Sequence, residues 1–131
     1  MADSDAVLQI NAAFYAAFAT ADMDAMMAVW TRDAPVAVIH PGTLPVVGRD
    51  PVQESWREIL TPAREIDIAC VDPTVQIHGD TAIVLCHERI NGHLLAASNT
   101  YRRVSEGWLL VMHQAGAVAA IVGSARSSVV H

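Results

Sequence analysis

The sequence predicts an α+β fold in which three N-terminal helices pack on a strongly curved, mainly antiparallel sheet. Two observations carry this prediction. Apolar residues recur at helical spacing only before Pro62, whereas from Ile66 onward they alternate with polar residues as in strands. Turn-forming residues then separate the strand-like runs, at Gly79-Asp80, Asn91-Gly92 and Ser105-Glu106-Gly107. Helices and strands that are segregated along a chain are typical of two-layer α+β domains.

Length and composition limit the classes of function that the protein can have. The 131 residues suit one domain, residues 1–131, whose residues 119–131 lose periodicity and are expected to form a C-terminal tail. The chain is 53% hydrophobic and 17% charged, which favours a homodimer over a monomer. A net charge of −6, with eight basic residues that are all arginines, argues against nucleic acid or an anionic membrane as a partner. No signal peptide or spanning segment is recognised, so a cytoplasmic location is expected.

Two helices are predicted before the first strand. The first covers residues 4–21, where apolar residues recur every three or four positions. Asp22 is expected to cap the second helix, which carries a stripe of three methionines that ends at Trp30. The stripe favours core packing, and Trp30 at its end is a candidate for the mouth of a pocket.

A short strand and a third helix follow. Val36 to His40 is rich in β-branched residues and is stopped by Pro41-Gly42. Asp50-Pro51-Val52-Gln53 predicts a capping box that opens a helix through Trp56, ending before Pro62. Cys70 and Cys86 lie in the strand-like runs without a metal-ligand spacing and are expected to be buried free thiols.

Four short motifs occur in an order that resembles the NTF2-like (SnoaL-like) superfamily, within an uncharacterised bacterial branch. They are Ile39-His40-Pro41-Gly42, Gly48-Arg49-Asp50-Pro51-Val52-Gln53-Glu54-Ser55-Trp56, Ala97-Ser98-Asn99 and Trp108-Leu109-Leu110-Val111-Met112-His113-Gln114-Ala115-Gly116. The resemblance implies a cone-shaped domain with a cavity at its open end. The superfamily contains isomerases, dehydratases, hydrolases and cyclases, together with members that only assemble, so fold membership leaves the activity open.

Strand parity groups the candidate site residues, because alternate side chains share one face of a sheet. Trp108, Leu110, Met112 and Gln114 form one set on the last strand, and His113 belongs to the other set. The resemblance implies that one set lines a mostly apolar pocket with residues from the helices and the other faces a dimer interface. The predicted pocket residues are Trp30, His40, Trp56, Glu88, Asn99, Tyr101 and Gln114, and the predicted interface residue is His113.

Three functions stay open at this point. The first is binding of a small apolar, carbonyl or carboxylate ligand, with Asn99 and Gln114 as amide donors. The second is an isomerase, cyclase or hydrolase that uses Glu88 or His40 as acid or base on a small carbonyl compound. The third is a non-catalytic assembly module, in which the polar residues only tie the strands together. No metal-ligand spacing, phosphate loop or nucleophile elbow is recognised, so no metal and no cofactor are predicted.

Overall fold

The helices and strands follow the predicted order, with one additional short strand, Val46–Val47, that was not predicted. The computed structural model describes residues 2–62 and 65–119, so most of the predicted tail lies outside the described residues. The elements are α1 (Asp3–Ala19), α2 (Met23–Ala28), β1 (Ala37–Ile39), β2 (Val46–Val47), α3 (Arg49–Leu60), β3 (Ile68–His78), β4 (Thr81–Ile90), β5 (His93–Val104) and β6 (Gly107–Ala117). The predicted α+β class is therefore confirmed. Within the described part, none of the helices has the length and apolar character needed to cross a membrane.

One six-stranded sheet organises the molecule. Its strand order is β2-β1-β6-β5-β4-β3, and every neighbouring pair is antiparallel except β1 and β6. The long strands β3 to β6 form a meander through tight turns, as the turn residues predict. The short β1 is placed beside β6 by parallel pairing of Val38 with His113, which brings His40 next to the end of β6.

Helix α1 presents a buried stripe to the sheet that is not wholly apolar. Val7, Phe14 and Phe18 are buried as the helical spacing predicts. Asn11 and Tyr15 lie on the same stripe and are also buried, at 2% and 6% exposure. Because buried polar groups need hydrogen-bond partners, these two side chains must meet polar groups on the sheet.

The helix starts differ in part from the sequence prediction. The Asp22 side chain caps α2 by accepting a hydrogen bond from the Ala25 backbone N–H at 3.0 Å, as predicted. The predicted capping box at Asp50 is wrong, because α3 begins at Arg49, two residues before the predicted start at Pro51, and has no side-chain cap. Gly48 holds its N-cap position with φ of 99°, a left-handed conformation that glycine adopts without a Cβ penalty.

A β-bulge in β6 reverses the predicted parity of the last strand. Thr100 pairs with Met112, but Tyr101 pairs with Leu110, so Val111 is an extra residue on β6. An extra residue shifts every later side chain to the opposite face of the sheet. Trp108, Leu110, His113 and Ala115 consequently point to the core, where each is at most 5% exposed.

Two sequence predictions are corrected by this bulge. His113 faces the concave side and is 1% exposed, so its assignment to the outer interface is wrong. Gln114 is exposed on the outer face of the sheet, so its assignment to the pocket is also wrong.

Candidate functional site

A cavity of about 440 Å³, which we call the cone cavity, opens between α3, the loop after β1 and the β4–β5 hairpin. This volume lies within the usual range for small-molecule sites. Its wall is mainly apolar, with polar side chains at a few points. The lining residues are Phe18, His40, Pro41, Thr43, Val46, Ser55, Glu58, Ile59, Glu88, Ile90, Leu95 and His113.

His40 contributes the first polar group of the wall. Its Nε2 lies 3.0 Å from Ser55 Oγ, and that hydroxyl donates its only proton to the Val52 carbonyl at 2.7 Å. His40 Nε2 must therefore carry a proton and donate it to Ser55, which leaves the lone pair on Nδ1. In this tautomer the imidazole cannot withdraw a proton from Ser55, so the pair does not activate a serine nucleophile.

Trp56 stands behind both histidines of the cavity wall. Its ring centroid lies 4.8 Å from that of His40, edge to face, and 5.8 Å from that of His113. Phe14 contacts His113 from the helix side at a centroid distance of 4.9 Å. Aromatic packing of this kind fixes ring orientation without adding charge to the cavity.

Asn99 sets the tautomer of His113. The Asn99 amide nitrogen donates to Asn11 Oδ1 at 3.0 Å and to the Tyr15 hydroxyl at 3.1 Å. Its carbonyl oxygen is therefore left to accept from His113 Nδ1. His113 then presents the lone pair of Nε2 toward Glu88, whose Oε2 lies 3.9 Å away.

Glu88 is the only carboxyl group inside the described cavity wall that is fully buried, at 1% exposure. The Tyr15 hydroxyl donates to its Oε2 at 2.6 Å. A hydroxyl oxygen placed about 2.8 Å from both Glu88 Oε2 and His113 Nε2 would bridge the 3.9 Å gap between them. The geometry therefore offers a ligand hydroxyl a position in which it donates to His113 Nε2 and accepts from a protonated Glu88, whereas a ligand carbonyl there could accept only from Glu88.

The hydrogen-bond network continues from Asn99 into the core. Tyr101 donates its hydroxyl to Asn11 Oδ1 at 2.7 Å, and Asn11 Nδ2 points to Cys70 Sγ at 3.6 Å. Cys86 Sγ lies 3.4 Å from the Tyr15 hydroxyl. Both cysteines are free, as predicted, and only partly buried. Helix α1 is thereby joined to β3, β4 and β5 by one continuous set of polar side chains.

Burial shifts the polar groups of the cavity toward their neutral forms. Burial lowers the pKa of His40 from 6.5 to about 4. Complete burial, with the nearby His40 as a smaller cause, lowers the pKa of His113 from 6.5 to about 3. Burial raises the pKa of Glu88, and the hydrogen bond from Tyr15 partly opposes this rise. The close approach of Glu88 and His113 is therefore a contact of a carboxyl group with a neutral imidazole, not an ion pair.

Apart from Gln114, which lies on the outer face, the structure places the predicted pocket residues in three groups. His40 and Glu88 line the cavity, as expected of them. Trp56, Asn99 and Tyr101 are completely buried behind the wall, so their predicted place on the rim is wrong. Trp30 is 1% exposed and pairs with Leu110 beside the sheet, away from the cavity mouth. Parity gives the face that a side chain occupies but not its depth, which explains these errors.

Besides His113, three polar residues of the site were not predicted as pocket residues. Asn11 and Tyr15 supply the acceptor and donor that complete the network, and Ser55 fixes the His40 tautomer. Asn11 and Tyr15 had a readable signal, since they stand four residues apart on the buried stripe of α1. Among the described residues, no group of three metal-ligating side chains has the proximity to hold an ion.

Known families and structures show the same fold. The model of a SnoaL-like domain matches residues 7–120. Among solved structures, a proposed dehydratase of the NTF2-like family from Streptomyces avermitilis is 32% identical, with a TM-score of 0.85 over 90% of this chain and 97% of that one. A proposed association domain of calcium/calmodulin-dependent protein kinase type II from Thiobacillus denitrificans is 34% identical, with a TM-score of 0.76 over 83% and 92%.

A more distant structure carries the same architecture. An NTF2-like protein with a cystatin-like fold from Novosphingobium aromaticivorans is 21% identical, with a TM-score of 0.69 over 96% of this chain and 86% of that one. Among curated protein sequences, none matches the chain. The family match over most of the chain, together with two structures more than 30% identical, shows that the chain belongs to the SnoaL-like family of the NTF2-like superfamily.

Proposed function

We propose that this protein binds a small uncharged molecule in the cone cavity and orients either its hydroxyl group between Glu88 and His113 or its carbonyl group against a protonated Glu88. The observation that carries the proposal is the convergence of three polar side chains, His40, Glu88 and His113, on a cavity with otherwise mainly apolar walls. A few polar groups placed in an apolar cavity are typical of small-molecule sites. Phe18, Ile59 and the other apolar wall residues would contact the body of the ligand.

The charge state of the cavity selects the class of ligand. With His40 and His113 neutral at pH 7, neither imidazole supplies a positive charge to balance a ligand carboxylate. Burial of an unpaired anion beside Glu88 would be costly. A ketone, lactone, phenol or alcohol is therefore favoured over the carboxylate that the sequence left open.

A thermal-shift panel tests the proposal. Neutral ketones and alcohols are compared with the corresponding carboxylates. A ligand at a hundredfold excess over its Kd stabilises the native state by about 2.7 kcal/mol, which raises Tm by roughly 10 °C. Ile90→Trp, which fills the cavity wall, should abolish the shift. Ile77→Trp is the matched control, because Ile77 is 39% exposed on a strand outside the cavity lining. A shift that survives Ile90→Trp would contradict binding in the cone.

A second candidate function is acid–base catalysis on a bound carbonyl compound, as an isomerase, cyclase or hydrolase. The buried Glu88, whose pKa is raised, favours it, because a carboxyl group shifted toward neutrality can exchange protons efficiently. Glu88 would take a proton from the carbon next to the carbonyl and return it to the resulting enolate. His40 is a weaker candidate for this role, since a pKa of about 4 makes it a poor base at pH 7. Binding remains the leading function because it requires no further group.

Exchange with deuterated solvent tests catalysis directly. Proton NMR follows loss of the signal at the carbon next to the carbonyl in whichever panel ketone gives the largest thermal shift. Glu88→Gln should abolish enzyme-dependent exchange, while Glu106→Gln in the exposed β5–β6 turn should preserve it. Exchange at the buffer rate with the wild-type protein would exclude this second function.

We also propose a homodimer through the outer face of the sheet. The middle of this face carries Leu85, Ala96, Ser98 and Gln114 and no aspartate, glutamate or arginine. Leu85 is 43% exposed within this uncharged patch, and a partner sheet packed against the patch would bury it. A pure assembly role is the remaining alternative, and the likeness to the Thiobacillus association domain supports it. A cytoplasmic location stays a prediction.

A further inference from the structure

A second concave site lies on the side of α3 that faces away from the cone cavity. It is a groove of about 440 Å³ between α2 and α3, which we call the arginine groove. Its lining residues are Met23, Asp24, Met27, Ala28, Arg32, Arg49, Gln53 and Arg57. No residue lines both sites, so the arginine groove is independent of the proposed function.

The positive charge of the groove is unusual for this chain. The protein has a net charge of −6 and only eight basic residues, yet three of them line this one groove. Arg49, Gln53 and Arg57 are spaced four residues apart and therefore share one face of α3. Arg32 approaches from the segment that follows α2. Asp24 is the one carboxylate among the lining residues.

Arg49 is fixed by the backbone and not by a carboxylate. Its guanidinium donates to the carbonyl oxygens of Thr31 at 3.0 Å and Trp30 at 3.4 Å, just beyond the C-terminal end of α2. Within residues 2–62 and 65–119, no carboxylate lies within 4.0 Å of the Arg49 or Arg32 guanidinium. Burial and the positive charge of Arg32 both lower the pKa of Arg49, as two like charges in one groove should.

Arg57 is available to an additional partner. Its only ion pair among the described residues is with Glu54, at 3.6 Å, and both side chains are about half exposed. An exposed pair with one long contact contributes little to stability and exchanges readily. The groove therefore contains one guanidinium that backbone carbonyl oxygens hold in place, that of Arg49. The guanidinium groups of Arg32 and Arg57 can reorient toward a ligand.

We propose that the arginine groove binds a small multivalent oxyanion, such as a phosphate monoester or a polycarboxylate. Guanidinium groups match the oxygen geometry of phosphates and carboxylates and bind them through paired hydrogen bonds. An anion would relieve the repulsion between Arg32 and Arg49 and could accept a further hydrogen bond from the Gln53 amide. Met23 and Met27 offer an apolar floor to the rest of the ligand.

Binding of inorganic phosphate and of citrate tests the proposal. Isothermal titration calorimetry at low ionic strength compares both anions with chloride at matched ionic strength. We expect saturable binding of phosphate, citrate or both, and the one that binds more tightly identifies the chemistry of the natural anion. The Arg32→Gln/Arg57→Gln variant should weaken Kd by about tenfold or more, since two charged hydrogen-bond donors are lost. Arg49 is kept because it holds the end of α2.

The control removes two charges elsewhere. Arg89→Gln/Arg102→Gln changes the net charge equally, at exposed positions near opposite ends of the β4–β5 pair that lie outside the uncharged middle of the outer face. It should bind the anions as the wild type does. The proposal would be overturned if neither phosphate nor citrate binds the wild type at about 20 mM, roughly the top of a useful concentration range for a weak site. Equal weakening in both double variants would overturn it as well, because the effect would then follow net charge and not the groove.

Discussion

Acid should destabilise this protein through the buried His113. The unfolded chain takes up a proton near the ordinary pKa of 6.5, whereas the folded protein does so only near 3. Between these values the unfolded state binds more protons, so stability that is complete above pH 6.5 falls as the pH is lowered toward 3. From about pH 7.5 to about pH 5 the linkage relation gives a loss of about 2 kcal/mol from His113 alone.

His40 and Glu88 also change how the free energy of unfolding depends on pH. They do not change the difference between the wild type and a variant that lacks His113. His40, with a folded pKa of about 4, adds a loss of similar size over the same interval. Glu88 acts in the opposite direction, because a raised pKa in the folded state means that stability is gained as the pH falls through that pKa. Replacement of His113 isolates its own share, since His40 and Glu88 remain.

Urea denaturation of His113→Gln and the wild type across this pH interval measures the effect. The variant should lose about 2 kcal/mol less than the wild type between about pH 7.5 and about pH 5. Val38→Ala is the control for general weakening: it should lower stability by about 2 kcal/mol at every pH and keep the wild-type slope. If His113→Gln does not fold, nitrogen NMR of the wild-type protein can report directly whether the His113 ring is protonated at a given pH. Parallel pH profiles, or a protonated His113 ring at pH 5, would refute the reasoning.

Two further predictions concern the network and the outer face. Tyr15→Phe removes the hydroxyl that donates to Glu88 and accepts from Asn99, so it should lower the free energy of unfolding by about 1 to 3 kcal/mol in urea denaturation. An unchanged value would show that the network contributes nothing to stability. Leu85→Arg places a charge in the middle of the proposed dimer face and should yield a monomer in sedimentation. The control Leu44→Arg, at an exposed position, should leave the dimer intact. A monomeric wild type would contradict the dimer proposal.

The sequence predicted the fold because local signals agreed along the chain. Apolar spacing located the helices, and Gly79-Asp80 and Asn91-Gly92 marked the hairpins that the structure contains. Alternation grouped the side chains of each strand, and the resemblance then assigned Glu88 and Asn99 to the concave face, where both are buried. These features depend on neighbours in sequence, which is why they can be read without coordinates.

The face of His113 could not be read in the same way. The bulge at Val111 falls inside the unbroken apolar run from Leu109 to Met112, where no glycine or proline marks it. The depth of Trp56 and Tyr101 depends on how α1 and α3 pack against the sheet, which is a tertiary property. The same holds for the arginine groove, since its arginines come from α3 and from the segment that follows α2.

The claim that the cone cavity receives a small neutral ligand can be tested by one methyl-NMR titration. The δ-methyl signals of Ile59, Ile90 and Leu95 report on residues that line the cavity, and those of Ile83 and Leu85 report on the opposite face of the sheet. Titration with a neutral cyclic ketone or phenol should shift the first three signals in a saturable way and leave the other two unchanged, while the matching carboxylate should shift none. Saturable shifts of Ile83 and Leu85 without those of Ile59, Ile90 and Leu95, or no shift with any neutral compound, would contradict the account.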